Sequence, residues 1–142
     1  MNCKAEQVKP NYGTVKPPKN ADIIKGPLGD FWLDENGFLV FCARQVTITE
    51  NGFIQHLRLL KELTKDKQVC ILQDLTCFNP IPKSFRERII SERVKAYKAI
   101  AVVSASPMGK MVAASLNIPG STTPIGIFKS EAEAKKWITQ FL

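Results

Sequence analysis

At 142 residues, with 44% of them hydrophobic and 23% charged, the chain is long enough for one core and too short to need a second domain. No run approaches the roughly 18 apolar residues of a membrane-spanning helix, and residues 1–19 lack the apolar stretch of a signal peptide, so a cytoplasmic protein without membrane insertion is expected. The net charge of +7 argues weakly for an acidic partner: five lysines against two acids in residues 1–25 hold almost half of it, and the rest is too diffuse for a nucleic-acid-binding footprint.

Residues 1–22 carry Pro10, Gly13, Pro17 and Pro18 among lysines and polar residues, with no helical or strand period. They read as a flexible arm ahead of a single domain over 23–142. The first firm element is a β-hairpin spanning Phe31 to Phe41. Asn36-Gly37 supplies the positive φ angles of its tight turn, and apolar runs lie on both sides.

After the hairpin the period changes. Phe53, Leu57, Leu60 and Leu63 recur at three and four, which aligns them on one helical face. Thr47 with Glu50 has capping-box spacing ahead of that helix, and Thr49 is the competing start. His56 sits among the apolar positions of the same helix, which suits packing or surface better than catalysis. Gln68 to Leu75 is a short apolar run of buried-strand length.

Pro80 and Pro82 then break the chain. Ser84 and Glu87 have capping-box spacing for a second helix, whose stripe runs through Phe85, Ile89, Val94 and Tyr97. This helix is the most basic part of the folded region, with Lys83, Arg86, Arg88, Arg93, Lys95 and Lys98 against Glu87 and Glu92. Ala99 to Val103, apolar at every position, fits a strand covered on both faces. A helix opening at Ser106-Pro107, a strand over 124–128 and a closing helix capped by Ser130 with Glu133 complete the chain. Ala134, Trp137, Ile138 and Phe141 face inward on that last helix.

A hairpin followed by alternating helices and strands predicts an α/β fold with a mostly parallel sheet. If the crossover helices all stack on one side, the other sheet face needs loops, the arm or a second subunit to cover it, and a homodimer is one such solution.

Few residues converge on chemistry. Cys3, Cys42, Cys70 and Cys77 form no Cys-x-x-Cys pair and His56 is the single histidine, so their spacing offers no zinc site. Cys42 and Cys70, inside apolar runs, read as small buried hydrophobes. The segment Ser104 to Lys110 ends in Gly-Lys but lacks the first glycine and the following hydroxyl of a phosphate-binding loop. No cofactor and no catalytic constellation is expected. Asp74, Thr76, Ser104, Ser106 and Lys110 lie where open α/β sheets place ligand-contacting groups, beyond the carboxyl ends of strands.

A leading hairpin, three further strand-helix units and a strand ending in Asp74-Leu75-Thr76 together resemble the STAS (sporulation anti-sigma-factor-antagonist-like) or SpoIIAA-like family. The C-terminal half, with Ala99 to Met111, Thr123 to Phe128, Ser130 to Ala134 and Trp137, is most similar to an uncharacterised bacterial, STAS/SEC14-like branch. The resemblance implies a non-enzymatic module that binds a protein partner. In anti-sigma-factor antagonists the loop after the central strand carries a phosphorylated serine in an Asp-Ser-Ser type motif. The matching stretch here is Pro82-Lys83-Ser84, without the aspartate, so Ser84 is the remaining candidate. The implied partner-facing surface is Asn79, Lys83, Ser84 and Arg86. The lipid-transfer proteins grouped with this fold imply the alternative, a carrier of a small apolar ligand held near Met108, Met111 and Phe128.

Overall fold

The computed structural model describes residues 15–79, 81–104, 107 and 121–142, with the side chains of residues 88–93 outside the description. Six strands form one mixed sheet in chain order: β1 (Ile24–Lys25), β2 (Gly29–Leu33), β3 (Leu39–Ala43), β4 (Val69–Asp74), β5 (Tyr97–Val103) and β6 (Ile125–Phe128). β1, β2 and β3 pair antiparallel, and β3 through β6 pair parallel. The described helices are α1 (Glu50–Thr64), α2 (Lys83–Lys95) and α3 (Glu131–Ile138), the last followed by a 3₁₀ turn, Thr139–Phe141.

The hairpin forms at the expected turn. Gly37 has φ 98°, Asp34 N donates to Phe38 O at 2.9 Å, and the Asp34 carboxylate accepts the Asn36 amide at 3.0 Å. Helix starts follow the side chains that cap them. Thr49, rather than Thr47, is the N-cap of α1, its hydroxyl accepting Gly52 N at 3.0 Å, and Ser130 caps α3 by accepting Glu133 N at 3.3 Å. α1 ends where Lys65 turns left-handed at φ 53°.

Two expectations shift at α2. The helix begins at Lys83, so Ser84 lies inside its first turn instead of capping it. Pro82 accounts for the earlier start, because its fixed φ already suits a helix and its carbonyl accepts Phe85 N at 3.3 Å. At the other end α2 stops at Lys95, and Tyr97 opens β5 in register with Val69 instead of continuing the helical stripe. An aromatic side chain suits a pleated, buried surface, and Tyr97 is 1% exposed there. β1 pairs over two residues and has no alternating pattern that the sequence could display.

Both sheet faces are buried, and different helices bury them. Phe31, Phe41, Ile71, Ile100 and Val102 point to one face and pack with Phe53 and Leu60 of α1 and with Phe85 and Val94 of α2. Trp32, Val40, Cys42, Cys70, Leu72, Ala101 and Val103 point to the other, against Ala134 and Ile138 of α3. This explains the unbroken apolar run of β5, which has no solvent face to alternate toward. The described helices therefore divide between the two faces instead of stacking on one.

Residues 15–22 of the expected arm are among the described ones. Val15 is 1% exposed and belongs to the α3-side core, with Ala21 packed against that core. One apolar residue between Thr14 and Lys16 leaves no periodicity in the sequence, but it removes apolar surface from water on this face. Residues 1–14 of that arm and the helix expected from Ser106-Pro107 lie outside the described residues, apart from Pro107.

Gly29, paired with Ala43 of β3, has no room for a side chain. A Cβ built there would overlap Cys42 O and stand 2.8 Å from Ala43 Cα, both backbone atoms that cannot rotate away. Gly29→Ala is expected to cost about 2–3 kcal/mol or more by overpacking. Urea unfolding should show this as a lower midpoint with an unchanged slope.

Candidate functional site

The residues expected at the carboxyl end of the sheet do gather there, but each described one is buried. Asp74 closes β4 and is 1% exposed. Its Oδ2 accepts Val15 N at 2.7 Å and its Oδ1 accepts Thr76 N at 3.0 Å. The Cys42 thiol, opposite Asp74 on β3, lies 3.9 Å from Asp74 Oδ2 and 3.8 Å from Val15 O. A buried carboxylate is costly unless hydrogen-bonded, and two backbone amides supply bonds of the stronger, charge-assisted kind. Asp74 therefore clips the Val15 segment onto the α3 face of the sheet and holds the turn that leaves β4.

Thr76 is 4% exposed, and Ser104 is fully buried where β5 ends, its amide donating to Phe128 O at 3.1 Å. Ser106 and Lys110 lie outside the described residues, as do Met108 and Met111. Phe128 is half-buried and packs on Trp137, ring centroids 5.6 Å apart. Cys42 and Cys70 are buried free thiols, as expected from their apolar runs, whereas Cys77 is disulfide-bonded, which no cysteine spacing in the sequence signals. Burial, with the charges of Asp74 and Asp30 nearby, pushes the Cys42 thiol far above its ordinary value of 9.0, and burial raises Cys70 too.

The loop from β4 to α2 differs from this buried edge. Asn79 is half-buried, and its side-chain amide donates to Val46 O at 2.7 Å. Arg86 reaches back so that its Nε donates to Ile81 O at 3.0 Å. Between these ties, Pro82, Lys83 and Ser84 are exposed, with Glu87 one turn on. Phe85 turns the other way and is buried in the α1–α2 core. Of the basic residues expected along α2, Lys83, Lys95 and the nearby Lys98 are exposed; the side chains of Arg88 and Arg93 lie outside the description.

Three polar arrangements escaped the sequence reading. Arg44 bridges the buried Asp30 carboxylate and Gly26 O, fixing the entry to the hairpin. Lys135 of α3 pairs with Glu131 at 2.9 Å and Asp34 at 3.3 Å. Burial pulls its ammonium down, but those two carboxylates outweigh that and hold it above its ordinary value. Gln73, next to Asp74, is fully buried on the α1–α2 face, and neither end of its amide has a hydrogen-bond partner among the described residues. Its only sequence signal is a glutamine inside the apolar run Val-Cys-Ile-Leu. His56 is wholly buried in the same core, its ring stacked on Phe31 at 5.3 Å and edge-on to Phe41 at 4.9 Å, a packing position as expected.

The chain belongs to the family described as "Domain of unknown function (DUF7793)", whose model matches residues 31–142. Among solved structures it is similar to an uncharacterised protein of the DUF3478 family with a SpoIIAA-like fold from Shewanella loihica PV-4. The two share 15% identity over 83% of this chain and 91% of that one, with a TM-score of 0.57. The mixed α/β sheet is thus of the SpoIIAA-like kind, in agreement with the resemblance read from the sequence. Among curated proteins none matches. No described helix is long and apolar enough to cross a membrane.

Two outcomes follow from the Asp74 cluster. Asp74→Ala leaves the buried Val15 and Thr76 amides without their acceptor and is expected to cost about 1–3 kcal/mol per stranded group; amide exchange should show Val15 losing protection before the central strands do. The Cys42 thiol stays protonated in the fold while an unfolded chain ionises near pH 9, so the unfolded state binds fewer protons above that pH. Stability is expected to fall by up to about 1.4 kcal/mol per pH unit above pH 9, a slope that denaturant titrations should find flattened in Cys42→Ala.

Proposed function

We propose that this member of the family is a non-enzymatic regulatory module that docks a protein partner through the β4–α2 loop and the first turn of α2. The observation that carries the reading is a contrast in exposure. Asp74, Thr76 and Ser104 are buried at the sheet edge, while Lys83 and Ser84 stand in solvent in the first turn of α2, where the preceding loop is tied by Asn79 and Arg86. A loop already tied in one conformation loses little entropy when a partner binds, which favours its use as a docking surface.

Ser84 gives the surface a means of control. A phosphate on its hydroxyl would sit in the first turn of a helix, where the dipole favours negative charge, with the Lys83 ammonium on the neighbouring residue. Phosphorylation would thus reverse the charge that an acidic partner meets at this face. The role as helix cap, which would have given Ser84 a sufficient structural reason to be there, does not apply to a residue inside the turn.

Affinity capture from the native cell tests the reading, comparing wild type with Lys83→Glu and Ser84→Asp. Arg86 is left intact because it holds the loop. A specific partner should be captured by the wild type and fall by about tenfold with either variant, the effect of roughly 1.4 kcal/mol at a charged contact. Identical partner sets from all three proteins would remove this loop as the docking face. Intact-mass measurement of the chain from the same cells should find phosphate that disappears in Ser84→Ala.

A further inference from the structure

Gln73 occupies a place in the core where a glutamine has no packing advantage. It lies on β4 directly between Phe41 of β3 and Val102 of β5, on the face that Ile71 and Leu75 share. Alternation along β5 brings Ser104, also fully buried, to the same face one step nearer the carboxyl edge. Phe31, Phe41 and the His56 ring pack together beside it, with centroid separations of 4.9 to 5.5 Å among Phe31, Phe41, Phe53 and His56. A buried amide with neither its oxygen nor its nitrogen bonded carries a desolvation penalty that an apolar residue of the same size would avoid.

The surroundings define what could satisfy it. The buried acids among the described residues, Asp30, Asp34 and Asp74, alternate onto the opposite face with Trp32 and Cys42, and among those residues no buried lysine or arginine accompanies Gln73. A charged ligand would find no lysine or arginine counter-ion among them. A primary amide offers one donor edge and one acceptor side by side, so its complement is a neutral group that offers an acceptor and a donor in the same arrangement.

We propose that Gln73 is the polar floor of a binding site, between the sheet and the α1–α2 layer, for an uncharged small molecule with an apolar body and an amide-like edge, such as a primary amide, a lactam or a nucleobase. Ser104 lies on the same face one step nearer the carboxyl edge, and Phe41, with the His56 ring packed edge-on against it, lines the site. The site lies within the body of the domain, apart from the β4–α2 loop, and does not depend on that loop docking a partner.

Ligand-observed NMR and thermal unfolding test the proposal with benzamide, 2-pyrrolidone and uracil as probes and toluene as the apolar control. At least one amide-type probe should bind the wild-type chain in preference to toluene. Gln73→Met should fold with equal or higher melting temperature, since it removes a buried unpaired amide, and should lose that preference by about tenfold or more. Gln73→Leu provides the same comparison should Met repack the core. Absence of any preference over toluene in the wild type, as expected of an amide that only holds water, would overturn the proposal. Equal binding of the amide probes by wild type and the folded Gln73 variants would overturn it too.

Discussion

The central strands β3, β4 and β5 are apolar on both faces, and the rest of the molecule is arranged to keep both faces from water. α1 and α2 lie on one side, through Phe53, Leu60, Phe85 and Val94. α3 lies on the other with Ala134 and Ile138, and Val15 adds to that cover. Each fully buried large side chain contributes about 1.5–3 kcal/mol relative to exposure, so neither face could be left open without losing a large part of the stability of a domain this size. The same requirement explains why a buried carboxylate is kept at Asp74. The segment that brings Val15 to the sheet arrives with a backbone amide needing an acceptor, and Asp74 provides it from the end of the strand that the segment covers.

Where the sequence was legible, the signals were local. Gly37 specifies its turn because few other residues tolerate its φ of 98°, whereas Asn36, expected to share a positive φ, does not adopt one, and Ser130 with Glu133 specifies a helix start because donor and acceptor lie three residues apart. The fold class followed from the alternation of such elements. Local signals also failed where two of them competed. Ser84 and Glu87 have the spacing of a capping box, yet Pro82 starts the helix two residues earlier, and Tyr97 continues a helical stripe in sequence while pairing with Val69 in space. Val15 could not be read at all, because its partners lie 27 and 59 positions away.

The candidate site shows the same division. Position alone placed Asp74, Thr76 and Ser104 at the carboxyl edge, and the structure brings them there. Position does not say whether a polar side chain at that edge faces a ligand or its own backbone, and Asp74 and Thr76 prove to be bound up in the turn and the Val15 segment. The β4–α2 loop was singled out by resemblance, and the hydrogen bonds of Asn79 and Arg86 add a physical reason that spacing could not supply. That reason is also why Arg86 belongs to the support of the loop more than to its face.

Gln73 and Asp74 make the distinction sharpest, because they are neighbours in sequence and point to opposite faces of one strand. Both are polar residues ending an apolar run, and both are removed from water. Asp74 carries the more expensive group to bury, a full charge, and it meets two backbone amides and a thiol. Gln73 carries the cheaper one and meets no hydrogen-bonding group among the described residues. Stability alone would favour an apolar residue at position 73 far more readily than at position 74, where the amides of Val15 and Thr76 would be stranded. A buried polar residue that bonds to nothing among the described residues is better explained by something the fold binds than by something that holds it together.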